Sequence, residues 1–194
     1  NYIILVSLGM KIILIITSIT MLFAEQKYKE PQYTLLSKDN NIEIRQYDKY
    51  VVAKTTVLKA DSNEDNNMFR TLASYIFGGN SKNQSIPMTA PVTTYDDKEN
   101  HNMIFYMLNV NNAEDLPLPN NTNIILDTFS LNKCAVIKFS WFTSESRINR
   151  YKNELKKYLE DNSLVAISSY MVNRYDPPWR LPFMRRNEII VQIQ

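Results

Sequence analysis

The same order of elements runs twice along this chain, roughly 82 residues apart. In the first copy, residues 41–47 alternate, with Ile42 and Ile44 apolar and Glu43 and Arg45 polar. That period of two is the pattern of a half-buried strand, apolar side in and polar side out. Residues 50–58 bring Val51, Val52, Thr55, Thr56 and Val57, and such β-branched density predicts a second strand. Asp48 and Lys49 form the turn between them. Ser62 followed by Asp65 resembles a capping box. Met68, Phe69, Leu72, Ala73 and Ile76 then recur at the spacing of one helix face. Gly78 and Gly79 close the helix, because glycine takes the left-handed conformation without penalty. Strands are predicted at 88–95 and 103–109.

The second copy repeats the order. Residues 123–129 and 134–141 predict strands, and Thr143 or Ser144 caps a helix with Ile148, Tyr151, Leu155 and Leu159 on its apolar face. Segments 164–175 and 188–193 predict the last two strands. Ile42 matches Ile124, and Val51 matches Cys134. One helix per half covers one face of a shared antiparallel sheet. The expectation is a pseudo-two-fold α+β domain over residues 25–194, with pseudo-repeats at about 33–110 and 120–194 and a linker carrying Pro117 and Pro119.

Scarcity excludes several chemistries. The chain of 194 residues holds one histidine, one cysteine and three glycines. Cys134 has no disulfide partner in the chain, and a four-ligand zinc site of Cys and His cannot be assembled, so no metal site is expected. Neither a dinucleotide loop nor a phosphate-binding Walker loop is present. Lys and Arg total 22 against 20 for Asp and Glu, with no basic block of the kind nucleic-acid modules show. His101 falls in the polar stretch 96–102 and reads as a solvated loop residue. Cys134 opens a strand and reads as buried packing. No spacing pairs the acids for catalysis, although Glu43 and Glu188 lie in strands that could bring them together.

Residues 3–23 are almost wholly apolar, with Lys11 the one charge. Two readings stand. Translation starts at Met10 and residues up to Ala24 are a signal peptide, or the run is a membrane anchor of roughly 20 residues. Either places the body outside the cytosol: secreted, periplasmic or in the secretory lumen, or membrane-anchored.

Four stretches together carry a family resemblance. They are Ile42 to Tyr47 (IEIRQY), Phe69 to Asn80 (FRTLASYIFGGN), Met88 to Val92 (MTAPV), and Asn173 to Trp179 (NRYDPPW) with Arg185-Arg186-Asn187-Glu188. In this order they resemble the SOUL/haem-binding protein family, from about Tyr33 to Ile193. The resemblance implies a distorted antiparallel β-barrel with two helices, a duplicated β-β-α-β-β unit like that of bacterial effector-binding domains. It implies haem or another tetrapyrrole as ligand, held beside the first helix near the Pro-rich loop. Transferred residue by residue, the site comprises Phe69, Ala73, Met88, Tyr175 and Arg180, with Arg180 as a cation for a propionate. Some relatives carry a histidine ligand where this chain has Gln46, and a glutamine amide is a poor iron ligand.

The leading expectation is therefore an exported, non-enzymatic tetrapyrrole binder with an apolar pocket. The alternatives are a protein-interaction or structural domain with a vestigial pocket, and a hydrolase on the same scaffold. The Arg185–Glu188 stretch is expected to close a turn by hydrogen bonding.

Overall fold

The ladder order is what shows the duplication in space. A computed structural model describes residues 28–59 and 65–194; the apolar run 3–23, Ala24 and the capping serine Ser62 lie outside the described residues. The strands are β1 (Tyr33–Asp39), β2 (Ile42–Tyr47), β3 (Lys49–Leu58), β4 (Val92–Asp97), β5 (Asn100–Tyr106), β6 (Ile124–Ser130), β7 (Lys133–Phe139), β8 (Met171–Arg174) and β9 (Asn187–Gln192). The helices are α1 (Asp65–Ile76) and α2 (Glu145–Asp161). The strands form one sheet in the order β1-β2-β7-β9-β8-β4-β5-β3-β6, antiparallel at every ladder. Set β1 aside and exchange each strand with its counterpart in the other half, β2 with β6 through β5 with β9. The order then reads the same backwards. Three ladders join the halves: β2 to β7, β3 to β6, and β4 to β8 at the centre.

Each helix covers the half of the sheet that its own repeat supplies most of. Under α1 lie Val51, Ala53, Met103, Phe105 and Met107 with the helix's own Met68, Leu72, Tyr75 and Ile76. Under α2 lie Ile42, Ile44, Ala135, Ile137, Ile189 and Val191 with Leu155 and Leu159. Leu155 is fully buried, and truncating such a side chain costs about 2–5 kcal/mol. The opposite, concave face is also buried. There Tyr47, Val52, Ile104, Tyr106, Cys134, Val136, Met171 and Ile190 form a third cluster, because the sheet curls into a half-barrel and closes over its own inner face.

Tyr75 buries its ring under α1 and donates its hydroxyl to the Pro117 carbonyl at 2.9 Å, so the linker between halves is tied to the helix. The turn after α1 needs both glycines. Gly78 has φ of +107°, which an L side chain rarely adopts. A Cβ on Gly79 would stand 2.6 Å from the Ser74 carbonyl oxygen.

Several boundaries differ from expectation. β1 has no counterpart in the sequence reading: all seven of its residues are exposed, so no alternation marks it. β4 starts at Val92 instead of 88, and β5 starts at Asn100 instead of 103. The strand expected over 164–175 is confined to Met171–Arg174. Ser144 stands at the N-cap of α2 with extended backbone, but its hydroxyl makes no capping bond.

Candidate functional site

The polar side of β2 faces the concave interior, not solvent. Arg45 and Glu43 are almost completely buried, and with Glu188 of β9 they form one network. The Arg45 guanidinium donates to Glu43 at 2.9 Å, to both oxygens of Glu188 at 3.0 and 2.9 Å, and to the Tyr47 hydroxyl at 2.7 Å. Lys138 donates to the other Glu43 oxygen at 2.8 Å. Tyr175 donates to Glu188 at 2.7 Å, and the Tyr33 ring lies 4.2 Å from the guanidinium carbon. Buried charges are tolerated only when paired and hydrogen-bonded. Among the described residues no buried side-chain nitrogen or oxygen is left without a partner.

The electrostatics follow from that geometry. Burial pushes the Glu43 carboxyl upward, but Lys138 and Arg45 outweigh it and hold it below the ordinary carboxylate range. Burial works against the Arg45 charge, and Glu188 more than restores it. Burial, with Glu188 beside it, holds the Tyr175 hydroxyl well above its ordinary value. Glu43 and Glu188 thus meet, as their strands allowed, but through a shared arginine. Both carboxylates are engaged as acceptors.

His101 is not a solvated loop residue. It stands in β5 with its side chain 12% exposed, Nδ1 at 2.6 Å from Asp96 and Nε2 at 2.9 Å from Asp65. Hydrogen bonding to Asp65 raises its pKa above 6.5; burial opposes this and Asp96 adds to it. Asp65 opens α1, so the imidazole clamps the helix start to the β4–β5 hairpin. Arg174, at the end of β8, reaches the same corner. It donates to Thr143 at 3.0 Å and Thr94 at 2.8 Å, and lies 3.8 Å from Asp65. One corner therefore gathers the start of α1, the end of β8 and the loop before α2. Cys134 is buried, with its thiol donating to the Leu131 carbonyl at 3.1 Å, and burial pushes it up to about 12.

The expected site residues divide into two groups. Phe69 is 40% exposed at the edge of α1, its ring edge-on to Phe105 of the sheet at 5.4 Å between centroids. Ala73 is half-buried one turn on, and Met88 packs on the core cluster that contains Phe105. Phe69 and Met88 both meet the core cluster under α1. Tyr175 is turned to Glu188, with the Arg186 guanidinium 3.7 Å over its ring. Arg180 donates to the Met184 carbonyl at 3.1 Å and pairs with Asp176 at 3.1 Å. A cavity of about 400 Å³ is lined by Leu36, Ile44, Lys133, Tyr158 and Leu164, and one of about 150 Å³ by Tyr95, Phe129 and Met171. None of the five expected residues lines either. Gln46 lies exposed in β2, in the half covered by α2, while Phe69 belongs to the half covered by α1. Among the described residues no group of three His, Cys, Asp or Glu side chains could hold a metal ion.

Sequence reasoning missed Arg45 and Arg174 as organising residues. Their signal was slight: each is a full charge in a short strand, Arg45 between Ile44 and Gln46 and Arg174 between Asn173 and Tyr175.

Residues 28–192 match the family described as SOUL heme-binding protein. The chain belongs to the SOUL heme-binding family. No curated protein matches this SOUL chain by sequence. Its fold is shared with solved structures of low identity. The EcmrR C-terminal domain matches with a TM-score of 0.62 at 16% identity, covering 84% of this chain and 98% of that one. An uncharacterized conserved protein from Listeria innocua gives 0.61 at 10% identity, with 81% and 94% covered. A hydrolase from Listeria innocua gives 0.58 at 8% identity, with 82% and 94% covered. At such identities the likeness concerns the fold alone, and it bears out the effector-binding-like architecture expected for this SOUL chain.

Proposed function

We propose that this SOUL protein is a non-enzymatic binder of haem or a related tetrapyrrole, acting outside the cytosol. The observation that carries the reading is the family match over residues 28–192. The edge of α1 supports it. Phe69 offers an exposed ring braced by Phe105, Ala73 leaves room beside it, and Met88 borders the same cluster. Arg70, next along the helix and exposed, supplies a cation for a propionate. The donor set suits a porphyrin held by its face and its carboxylates. It does not suit an imidazole bond to iron, since both nitrogens of the one histidine are engaged by Asp65 and Asp96. Tyr175 and Arg180 act in this reading by shaping the Pro-rich loop. The apolar run 3–23 supports export. The hydrolase alternative is not advanced, because Glu43 and Glu188 are spent on Arg45 and line neither cavity.

Hemin titration tests the proposal. A saturable Soret shift is expected, Phe69→Asp weakens it about tenfold or more, and His101→Asn leaves the spectrum of the complex unchanged. No saturable shift at micromolar protein refutes it.

A further inference from the structure

Six large apolar side chains, Trp141, Phe142, Trp179, Leu181, Phe183 and Met184, are exposed on two adjoining loops. One loop leads from β7 into α2, and the other joins β8 to β9. Scattered apolar residues on a surface are normal, but a contiguous group marks an interaction surface. The two loops are ordered against each other. The Trp141 amide donates to the Pro182 carbonyl at 2.8 Å, and the Asn187 side chain donates to the Trp141 carbonyl at 2.9 Å. Arg185 donates to the Arg180 carbonyl at 2.9 Å and to that of Pro178, while its guanidinium covers the Phe142 ring at 4.9 Å. Pro177, Pro178 and Pro182 restrict the backbone further. The arrangement holds apolar side chains in water on a braced support.

Charge and shape identify the occupant. Segments 141–150 and 176–186 carry five arginines, Arg147, Arg150, Arg180, Arg185 and Arg186, against Glu145 and Asp176. Glu30 answers Arg186 from outside them, and a positive excess remains among the described residues of the two segments. The Arg185 guanidinium has carbonyls and a ring as its partners, so its charge is not cancelled by a carboxylate among the described residues. Trp179 is 76% exposed and Phe183 59%, the exposure of side chains that project outward. Projecting tryptophan and phenylalanine flanked by arginine suit the headgroup layer of an anionic membrane, where amphipathic rings lodge and cations meet phosphates.

We propose that these two loops dock the protein peripherally on an anionic lipid surface, with Trp141, Trp179 and Phe183 entering the interface. It shares the Pro-rich loop with the tetrapyrrole reading but rests on other side chains, Trp141, Trp179 and Phe183, and not on Phe69, Ala73 or Met88.

The test is built into the sequence, because the chain's two tryptophans both lie on this surface. The full chain is mixed with phosphatidylcholine vesicles, with or without phosphatidylglycerol, and tryptophan emission is followed. The expected result is a blue shift, shielding from iodide and quenching by brominated lipid, with the anionic vesicles only. Added salt reverses it. Phe183→Ser keeps both reporters and lowers the partition coefficient about tenfold. Emission that does not change while the protein co-sediments with vesicles overturns the proposal, since attachment then runs through another segment. An equal response to neutral vesicles, or an unaltered Phe183→Ser variant, overturns it too.

Discussion

Replacing Arg45 with methionine leaves the buried Glu188 without its cation and Glu43 with lysine partners alone. Methionine fills a similar volume, so the cavity penalty is small and electrostatics dominates. The wild-type guanidinium makes four hydrogen bonds, to Glu43, to Tyr47 and twice to Glu188. Removing one member of a buried charge network costs about 3–5 kcal/mol. With a urea slope of about 2 kcal/mol/M, the unfolding midpoint falls by about 1.5–2.5 M. A triple variant, Glu43→Leu with Arg45→Met and Glu188→Leu, removes all three charges and recovers most of the loss. Lys138 is left without Glu43 but its side chain is 35% exposed and stays solvated. The pH dependence adds a second check. The depressed Glu43 carboxyl contributes stability above its unfolded value of 4.5 and gives it up as pH falls through its lower folded value. The gap between wild type and Arg45→Met is therefore full at neutral pH and narrows in acid. A loss under about 1 kcal/mol for Arg45→Met, or a triple variant weaker than the single, refutes the account of the network.

Other outcomes are equally specific. The raised pKa of His101 contributes stability that is complete below 6.5 and is lost as pH rises through the folded value; thermal melts show this step in wild type, and His101→Asn flattens it. Cys134, with its thiol pushed up to about 12 and buried, resists iodoacetamide at pH 8 in the native protein and reacts once urea unfolds it, as mass spectrometry of the adduct shows. Gly79→Ala forces a methyl to within 2.6 Å of the Ser74 carbonyl and lowers stability by about 1–3 kcal/mol in chemical denaturation.

Where one face of an element met water and the other met core, the sequence was legible. Met68, Leu72 and Ile76 mark α1 and Leu155 and Leu159 mark α2, and all five are buried as the helical spacing requires. Phe69, on the same predicted face, is 40% exposed and meets the sheet only edge-on, at Phe105, while Tyr75, which the spacing left out, is fully buried. β2 shows why alternation alone misleads. Its polar residues read as the solvent side, yet the curl of the sheet covers them, and charges from two distant strands neutralise one another. Nothing local to Glu43 or Arg45 announces Glu188. His101 was misread for a similar reason, since its partner Asp65 comes from another element. β1 left no trace, because an exposed edge strand has no buried side to impose a period.

The three ladders that join the repeats bear on how the chain reaches its native state. β2 takes a neighbour from the second half, and β3 borrows β6 in return. Neither repeat can close its part of the sheet alone, and Arg45 and Glu188 sit on opposite sides of the divide. The chain is therefore an interlocked pair of units tied end to end, not two modules side by side. Folding must wait for pairings such as Ile42 with Ile137, a high contact order that slows it. Cut between β5 and β6, the fragments are obligate complements, each supplying the strands and countercharges the other lacks.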